Sequence, residues 1–340
     1  MVTHLLVGNP TAQSGKNAER IDAARRMFSA YGIDTNLLVT LPYGRTVGEV
    51  AKAIDDGDYT HVVSMGGDGT FREVASGILH AHKRDTVALA MLPTGTANDQ
   101  GKSFGLDANP QALATNVHVA VGGFETKLDA GQITAWEGDD LLTTTHFFDS
   151  AGWGISARIL STRNDDRRAV EGVPLLANLY RDQLVYAGAA LRVFLGSYVV
   201  SDKFDVEIER NGHPTTTLRG LSDLIVKNTR IYAGSWVFDR TSQHDDGLFE
   251  VVPFHGKRDW TSKAILDIEG NPLTEEMLNT IGVDHPDPFR VSKMSIRFTV
   301  PEGHEELAAQ IDGDEFTVTS RVEVTVLPRA LRLIIPRPRS

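Results

Sequence analysis

The stretch His61-Val62-Val63-Ser64-Met65-Gly66-Gly67-Asp68-Gly69-Thr70-Phe71-Arg72-Glu73 constrains the fold of this chain more than any other. His61 to Met65 has the short apolar run of a buried parallel strand. Gly66, Gly67 and Gly69 then break the run, with only Asp68 among them. Phe71, Val74, Ala75, Ile78 and Leu79 resume the apolar pattern at helical spacing, which predicts a helix from near Thr70. Strand, glycine turn and helix N-terminus together make an anion site, because glycine permits unusual dihedrals and close backbone approach while unpaired N–H groups face the anion. A carboxylate at Asp68 repels phosphate, and a divalent metal bridging the two removes that objection. A purely structural glycine turn is the alternative for these residues taken alone.

Length admits two such units. The 340 residues exceed one typical domain and fit two, each with its own core. A 41% hydrophobic and 23% charged content is ordinary for a soluble globular protein. The net charge of -11 and pI near 5.5 argue against nucleic acid as the main partner. No charged-then-apolar leader opens the sequence, and no apolar run approaches the roughly 20 residues of a membrane span. Absence of cysteine excludes disulfides, thiol catalysis and cysteine-ligated zinc. The eleven histidines lack His-Glu-x-x-His spacing, so zinc chemistry is not expected. The expected compartment is the cytoplasm.

In chain order, His4 to Val7 reads as a strand followed by Gly8-Asn9-Pro10-Thr11-Ala12-Gln13-Ser14-Gly15-Lys16. This loop resembles a P-loop, but Pro10 stands where glycine is needed and Asn17 replaces the magnesium-binding hydroxyl. A helix follows with Ile21, Ala24 and Phe28 inward, then a strand over Leu37–Thr40, then a helix with Val47, Val50, Ala51 and Ile54 on one face. Beyond the central turn, Val87–Leu92 is a strand that ends in Pro93-Thr94-Gly95-Thr96-Ala97-Asn98-Asp99. The alternation of strand and helix to about residue 125 implies a parallel sheet with helices on both faces. Ligands of such sheets gather at the carboxyl ends of the strands, where all three polar loops lie.

Near Asp129 the rhythm changes. Gln132–Trp136, Thr143–Phe148, Phe204–Ile208, Asp223–Val226, Phe249–Pro253 and Met294–Val300 read as strands separated by turns rich in Gly, Asn and Asp. The pattern predicts a mostly antiparallel second domain. One helical exception is expected over about Pro174–Leu195, where Leu184–Leu195 carries a single charge, Arg192. It is either a helix packed on the sheet or an apolar wall for a greasy substrate.

Gly66-Gly67-Asp68-Gly69-Thr70 with Glu73-Val74, and Pro93-Thr94-Gly95-Thr96-Ala97-Asn98-Asp99, resemble the diacylglycerol kinase catalytic domain, a family that includes bacterial lipid kinases and sphingosine and ceramide kinases. The similarity extends to Asn9-Pro10, Asn228-Thr229-Arg230 with Gly234, Asp246-Gly247-Leu248, Asp312-Gly313-Asp314 and Leu327-Pro328-Arg329-Ala330-Leu331-Arg332. Gly-Gly-Asp-Gly-Thr is shared with NAD kinases, and its pairing with Pro-x-Gly-Thr-x-Asn-Asp favours the lipid branch. The resemblance implies an α/β nucleotide-binding domain, residues 1–128 with 327–340, and a β-sandwich lipid-substrate domain, residues 129–326. The final strand, about Leu327 to Pro336, would return to the first domain.

The same resemblance implies a set of site residues. ATP would be contacted by Asn9, Thr40, Gly66, Gly67, Asp68, Gly69, Thr70, Phe71, Arg72, Glu73, Gly95, Thr96 and Asn98. Asp68 would act through magnesium on the transferring phosphate. Asp314 stands where relatives have a glutamate base in Asp-Gly-Glu, and Glu315 is the alternative if the turn carries an extra residue. Without the family, Asp-Gly is simply a common hairpin signal. Gln243, Asp246 and Leu248 match a structural magnesium site of bacterial relatives, and their carbonyls and carboxylate suit a hard cation. The expected activity is therefore ATP- and magnesium-dependent phosphorylation of a hydroxyl on diacylglycerol or a similar lipid, with transient peripheral membrane contact at the inner face; homodimerisation is left open. NAD kinase-like phosphorylation of a soluble nucleotide or sugar, and a non-catalytic nucleotide or lipid sensor, are the alternatives.

Overall fold

The computed structural model describes residues 2–11, 15–95, 97–158, 160, 203–210, 212–234, 236–239, 241–256, 259–260, 262–263, 275–280, 282–283, 285–302, 306–317 and 319–337. The chain divides into two compact units. The first comprises Met1–Ala130, His244–Gly247 and Leu327–Ser340, and the second Gly131–Gln243 and Leu248–Val326. His244–Gly247 thus clusters with the first unit, whereas the sequence places it among the residues of the second.

The first unit runs β1 (Val2–Gly8), α1 (Lys16–Ala30), β2 (Ile33–Val39), α2 (Thr46–Asp56), β3 (His61–Gly66), α3 (Asp68–His80), β4 (Ala88–Pro93), α4 (Asp99–Ser103) and α5 (Leu113–Gly122). Its strands are parallel in the order β2-β1-β3-β4. Every residue of β4 and the middle of β3 are buried, as befits parallel strands covered on both faces. Ile21, Ala24 and Phe28 of α1 join Val117 and Ala120 of α5 in a core with Leu6, Val63, Met65 and Ala90. On α2 and α3, Gly77 lies so close to Val50 that an added Cβ would sit 2.6 Å from the valine Cβ. Strand β2 begins four residues before the expected Leu37. Asp34, Thr35 and Asn36 hide its apolar rhythm because β2 ends the strand order and exposes Leu37 and Val39.

The second unit contains β5 (Phe124–Glu137, from Gly131 on), β6 (Asp140–Phe147), β7 (Ser150–Gly154), β8 (Phe204–Arg210), β9 (Thr216–Leu221), β10 (Asp223–Lys227), β11 (Phe249–Phe254), β12 (Phe289–Val291), β13 (Lys293–Thr299), β14 (Ala309–Ile311), β15 (Asp314–Phe316) and the first part of β16 (Arg321–Ile335). One sheet has the antiparallel order β16-β13-β8-β9, and the other β12-β11-β10-β7-β14-β15. Alternate residues of the two sheets, among them Trp153, Val226, Ile208, Ile296 and Val324, share one core, the packing of a sandwich. The outer face of the second sheet carries an aromatic cluster of Tyr232, Trp236, Phe238, Phe254 and Trp260. The residues of β16 from Leu327 on belong to the first unit, where Leu333 pairs in parallel with Leu89 of β4. The expected helix over Pro174–Leu195 lies outside the described residues.

Candidate active site

Gly8 pairs with Met65 and with Val39, and Gly66 pairs with Pro93. Asn9, Thr40, Gly67 and Thr94 therefore follow the carboxyl ends of four neighbouring parallel strands. The chain leaves β1 for β2 on one side and then reaches β3 on the other. Such a reversal opens a crevice at the switch point, here between the loops after β1 and β3.

Both loops are tightly held. Asn9 Oδ1 accepts from the N–H and hydroxyl of Thr11 at 2.9 and 2.7 Å, and the Asn17 amide donates to the Asn9 carbonyl at 2.7 Å. Thr40 N–H donates to the Gly8 carbonyl at 3.2 Å. At the central turn, Gly67 is extended at φ -95° and ψ -168°, and its carbonyl accepts from Phe71 N–H at 3.0 Å. The helix therefore starts at Asp68, two residues before the expected Thr70. Gly67 has no side chain to cap the helix, and the N-terminal turn of α3 lies at the crevice end of β3.

The glycines are required for a reason other than unusual dihedrals. Neither Gly66 nor Gly67 has a positive φ. A Cβ on Gly95 would stand 2.4 Å from the Gly67 Cα, and one on Gly66 would stand 2.4 Å from the Thr70 hydroxyl oxygen. Close approach of two loops fixes the residue type. The Gly95 loop is shaped by Asn98, which is left-handed at φ 52°. Its Oδ1 accepts from Gly95 N–H at 2.9 Å while its Nδ2 donates to the Gly95 carbonyl at 2.7 Å. Asn98 thus brackets the turn with both amide groups.

Asp68 Oδ1 accepts from Gln100 N–H at 3.2 Å. Burial pushes the Asp68 carboxyl above its ordinary range, opposed by backbone N–H groups of Gln100 and Asn98 and by the nearby Lys102 charge. Gly69, Thr70, Arg72 and Glu73 are half-buried on the first turns of α3, and Phe71 is buried. Thr96 lies outside the described residues.

In the second unit, Asp312 and Gly313 connect β14 to β15 with φ of 48° and 77°. Two consecutive positive values define the type I′ turn that suits a two-residue hairpin. Asp314 pairs with Ile311 and Glu315 with Gln310, so these two exposed carboxylates project to opposite faces. The turn is anchored beneath by the buried Asp312 carboxylate, which accepts from the N–H groups of Phe148, Asp149 and Ser150 at 2.8–3.1 Å. Thr229 donates its hydroxyl to Asp149, and Asn228 donates to the Phe148 carbonyl at 2.8 Å. Gln310 Oε1 accepts from Gly313 N–H at 2.9 Å.

Of the expected magnesium ligands, Asp246 falls in the first unit and Gln243 and Leu248 in the second. Asp129 organises the Asp246 turn. Its carboxylate accepts from Gly247 N–H at 2.6 Å and Arg329 N–H at 2.5 Å, and its own N–H donates to the His244 carbonyl at 2.7 Å. Burial raises the Asp129 carboxyl, and the Asp246 and Asp245 charges raise it further. Among the described residues no group of three His, Asp or Glu side chains is arranged to hold a metal.

Residues 3–133 match the model of the diacylglycerol kinase catalytic domain. Over 333 residues, 95% of this chain and 94% of the other, the sequence is 31% identical to an Escherichia coli protein named probable lipid kinase YegS. The chain belongs to the diacylglycerol kinase family. A Pseudomonas putida protein named probable lipid kinase YegS-like is 29% identical over 214 residues, a match that spans 63% of this chain and 62% of that one. In fold, the chain is similar to the crystal structure of a diacylglycerol kinase from Bacillus anthracis, with a TM-score of 0.67 over 98% of this chain and 96% of that one at 18% identity.

Within this family frame, Asp149, Asp129 and Gln310 are the residues that sequence reasoning passed over. Asp149 did carry a signal: it is the one acidic residue between Phe147-Phe148 and Ser150-Ala151, and a charge in an apolar stretch calls for a buried partner. Asp129, between Leu128 and Ala130 in β5, carries the same mark, and Gln310 has none.

Proposed function

We propose that this protein is an ATP- and magnesium-dependent lipid kinase that transfers the γ-phosphate to a hydroxyl of diacylglycerol or a similar lipid. The observation that carries the reading is the collection of Asn9, Thr40, Gly67 and Asp68 at the carboxyl ends of β1, β2 and β3, where the strand order reverses. Open N–H groups of α3 receive phosphate oxygens there. Asp68 fits a magnesium ion that is shared with nucleotide phosphates, since such ions take one or two carboxylates from the protein. The ion would supply charge neutralisation on the transferring group.

The protein's own residues bind and orient the nucleotide through the Gly67 and Gly95 loops. Asp314 takes the proton of the acceptor hydroxyl as its oxygen bonds to the γ-phosphorus. The bond from that phosphorus to the bridging oxygen breaks, and ADP leaves. A lipid acceptor would be reached by transient peripheral contact with the membrane; no helix among the described residues is long and apolar enough to cross one.

The test is incubation with γ-labelled ATP and magnesium against diacylglycerol, a sphingoid base, a glycerophospholipid and NAD. Label should enter a lipid, and Asp68→Asn should reduce its rate by at least about 10²-fold, the scale of losing a charge-stabilising group. Label entering NAD instead would overturn the lipid assignment. Nucleotide binding without transfer to any acceptor would identify a sensor.

A further inference from the structure

Gln100 is 2% exposed, yet neither its Nε2 nor its Oε1 has a hydrogen-bond partner among the described residues. Buried polar groups are satisfied by protein or by ordered water with few exceptions. The side chain lines a recess with Ser64, Asp68, Phe71, Met91 and Pro93. Phe71, Met91 and Pro93 would accept an apolar side chain at this position equally well, so packing does not account for the amide. The recess has room for about one water molecule. An internal water needs two to four polar partners, and the Gln100 donor and acceptor, the Ser64 hydroxyl and the Asp68 carboxylate supply that number.

We propose that the Gln100 carboxamide holds one internal water against Asp68, making Gln100 a positioning residue for that carboxylate. The inference rests on the role given to Asp68 above. A carboxylate only accepts hydrogen bonds. The Gln100 backbone N–H already holds Oδ1 at 3.2 Å, and the backbone N–H groups of Asn98 and of Asp68 itself also bond the carboxylate. A water that accepts from Gln100 Nε2 and donates to Asp68 adds a further fixed point from the side of the recess. Backbone and side chain of Gln100 then both help to set the carboxylate orientation before nucleotide arrives. Pre-set geometry of this kind avoids reorganisation during the reaction.

Gln100→Met separates this role from a structural one, because methionine keeps the length and removes the polar atoms. Its melting temperature should stay close to that of wild type, since methionine keeps the packed volume and a water-mediated bond contributes little net stability. Its kcat should nevertheless fall about tenfold, with the KM for lipid unchanged. Gln100→Asn, which retains the amide, should recover part of the loss, and Ser64→Ala should show a smaller loss of the same kind. A high-resolution crystal structure of the wild type should show one ordered water in the recess. Unchanged kcat in Gln100→Met, a parallel loss of stability and activity that Gln100→Asn does not relieve, or a dry recess would each overturn the proposal. Should Gln100→Met fail to fold, Ser64→Ala and the wild-type crystal structure decide. Asp68→Asn is the control: if it turns over normally, the role of Asp68 itself falls; if it is impaired while Gln100→Met is not, only the positioning role falls.

Discussion

Two turns of this protein are built from glycine and aspartate, and they use them in opposite ways. At Gly66-Gly67-Asp68 the backbone keeps ordinary negative φ, and glycine is required because another loop presses on it, with a Gly95 Cβ only 2.4 Å from the Gly67 Cα. At Asp312-Gly313-Asp314 nothing lies within 4 Å of a Cβ on Gly313, and its φ of 77° alone selects the residue. Aspartate differs in the same sense. Asp68 stands at the start of α3 with its carboxylate held by N–H groups of Asn98 and Gln100 from another loop, whereas Asp312 is enclosed by the N–H groups of Phe148, Asp149 and Ser150 and has the character of an anchor. One motif derives its shape from a distant loop that also holds its carboxylate; the other is shaped locally and buries its first carboxylate, leaving the second exposed.

The largest effect expected from this contrast concerns that exposed carboxylate. With Asp312 fixed below, Asp314 and Glu315 leave the turn on opposite faces, so one of them at most serves the acceptor hydroxyl. Asp314→Asn should depress the chemical step by roughly 10²–10⁴-fold with little change in ATP affinity. Glu315→Gln should be mild. Single-turnover kinetics separates the step from binding, and the reverse ranking would move the base to Glu315. Normal turnover in both variants and in the double variant would reduce the hairpin to a structural element.

A smaller effect tests the glycines directly. Gly95→Ala forces two backbones apart, an overpacking that costs about 1–3 kcal/mol. Gly313→Ala meets no neighbour and costs about 1–2 kcal/mol from its left-handed backbone alone. Asparagine distinguishes the two causes, because it tolerates that backbone region but is larger than alanine. Gly313→Asn should therefore recover stability relative to Gly313→Ala, and Gly95→Asn should lose more than Gly95→Ala in denaturant melts. Asparagine behaving alike at both positions would mean that one cause selects glycine at both turns.

The same contrast explains what was legible in the sequence. Strand β3, its glycine turn and the apolar face of α3 follow one another within a few residues, so period and composition reveal them. The two-residue error in the start of α3 comes from Gly67, whose extended backbone accepts the first helical bond. Edge strand β2 was half-hidden because exposure on its open side admits polar residues. What the sequence conceals is long-range pairing. Asp312 meets Asp149 across 163 positions, Asp129 meets Gly247 across 118, and Gly95 meets Gly67 through loops from different strands. None of these contacts leaves a periodic trace.

The smallest effect sharpens the comparison with a third Asp-Gly turn, Asp246-Gly247. Gly247 shares the positive φ of Gly313, at 77°, but the carboxylates around it are gathered rather than separated. Asp129 is buried, and the charges of Asp246 and Asp245 repel its ionised form. A cation relieves that repulsion, and one that binds only the folded state stabilises it by mass action. If this turn holds magnesium, melts without nucleotide should show wild type gaining about 1–3 °C at tenfold-saturating magnesium, and Asp246→Ala gaining less. Omission of nucleotide keeps any magnesium at Asp68 out of the comparison. Equal magnesium-dependent shifts in the two proteins would leave Asp246-Gly247 as a turn held by Asp129 alone, the same kind of buried anchor that Asp312 provides for the hairpin.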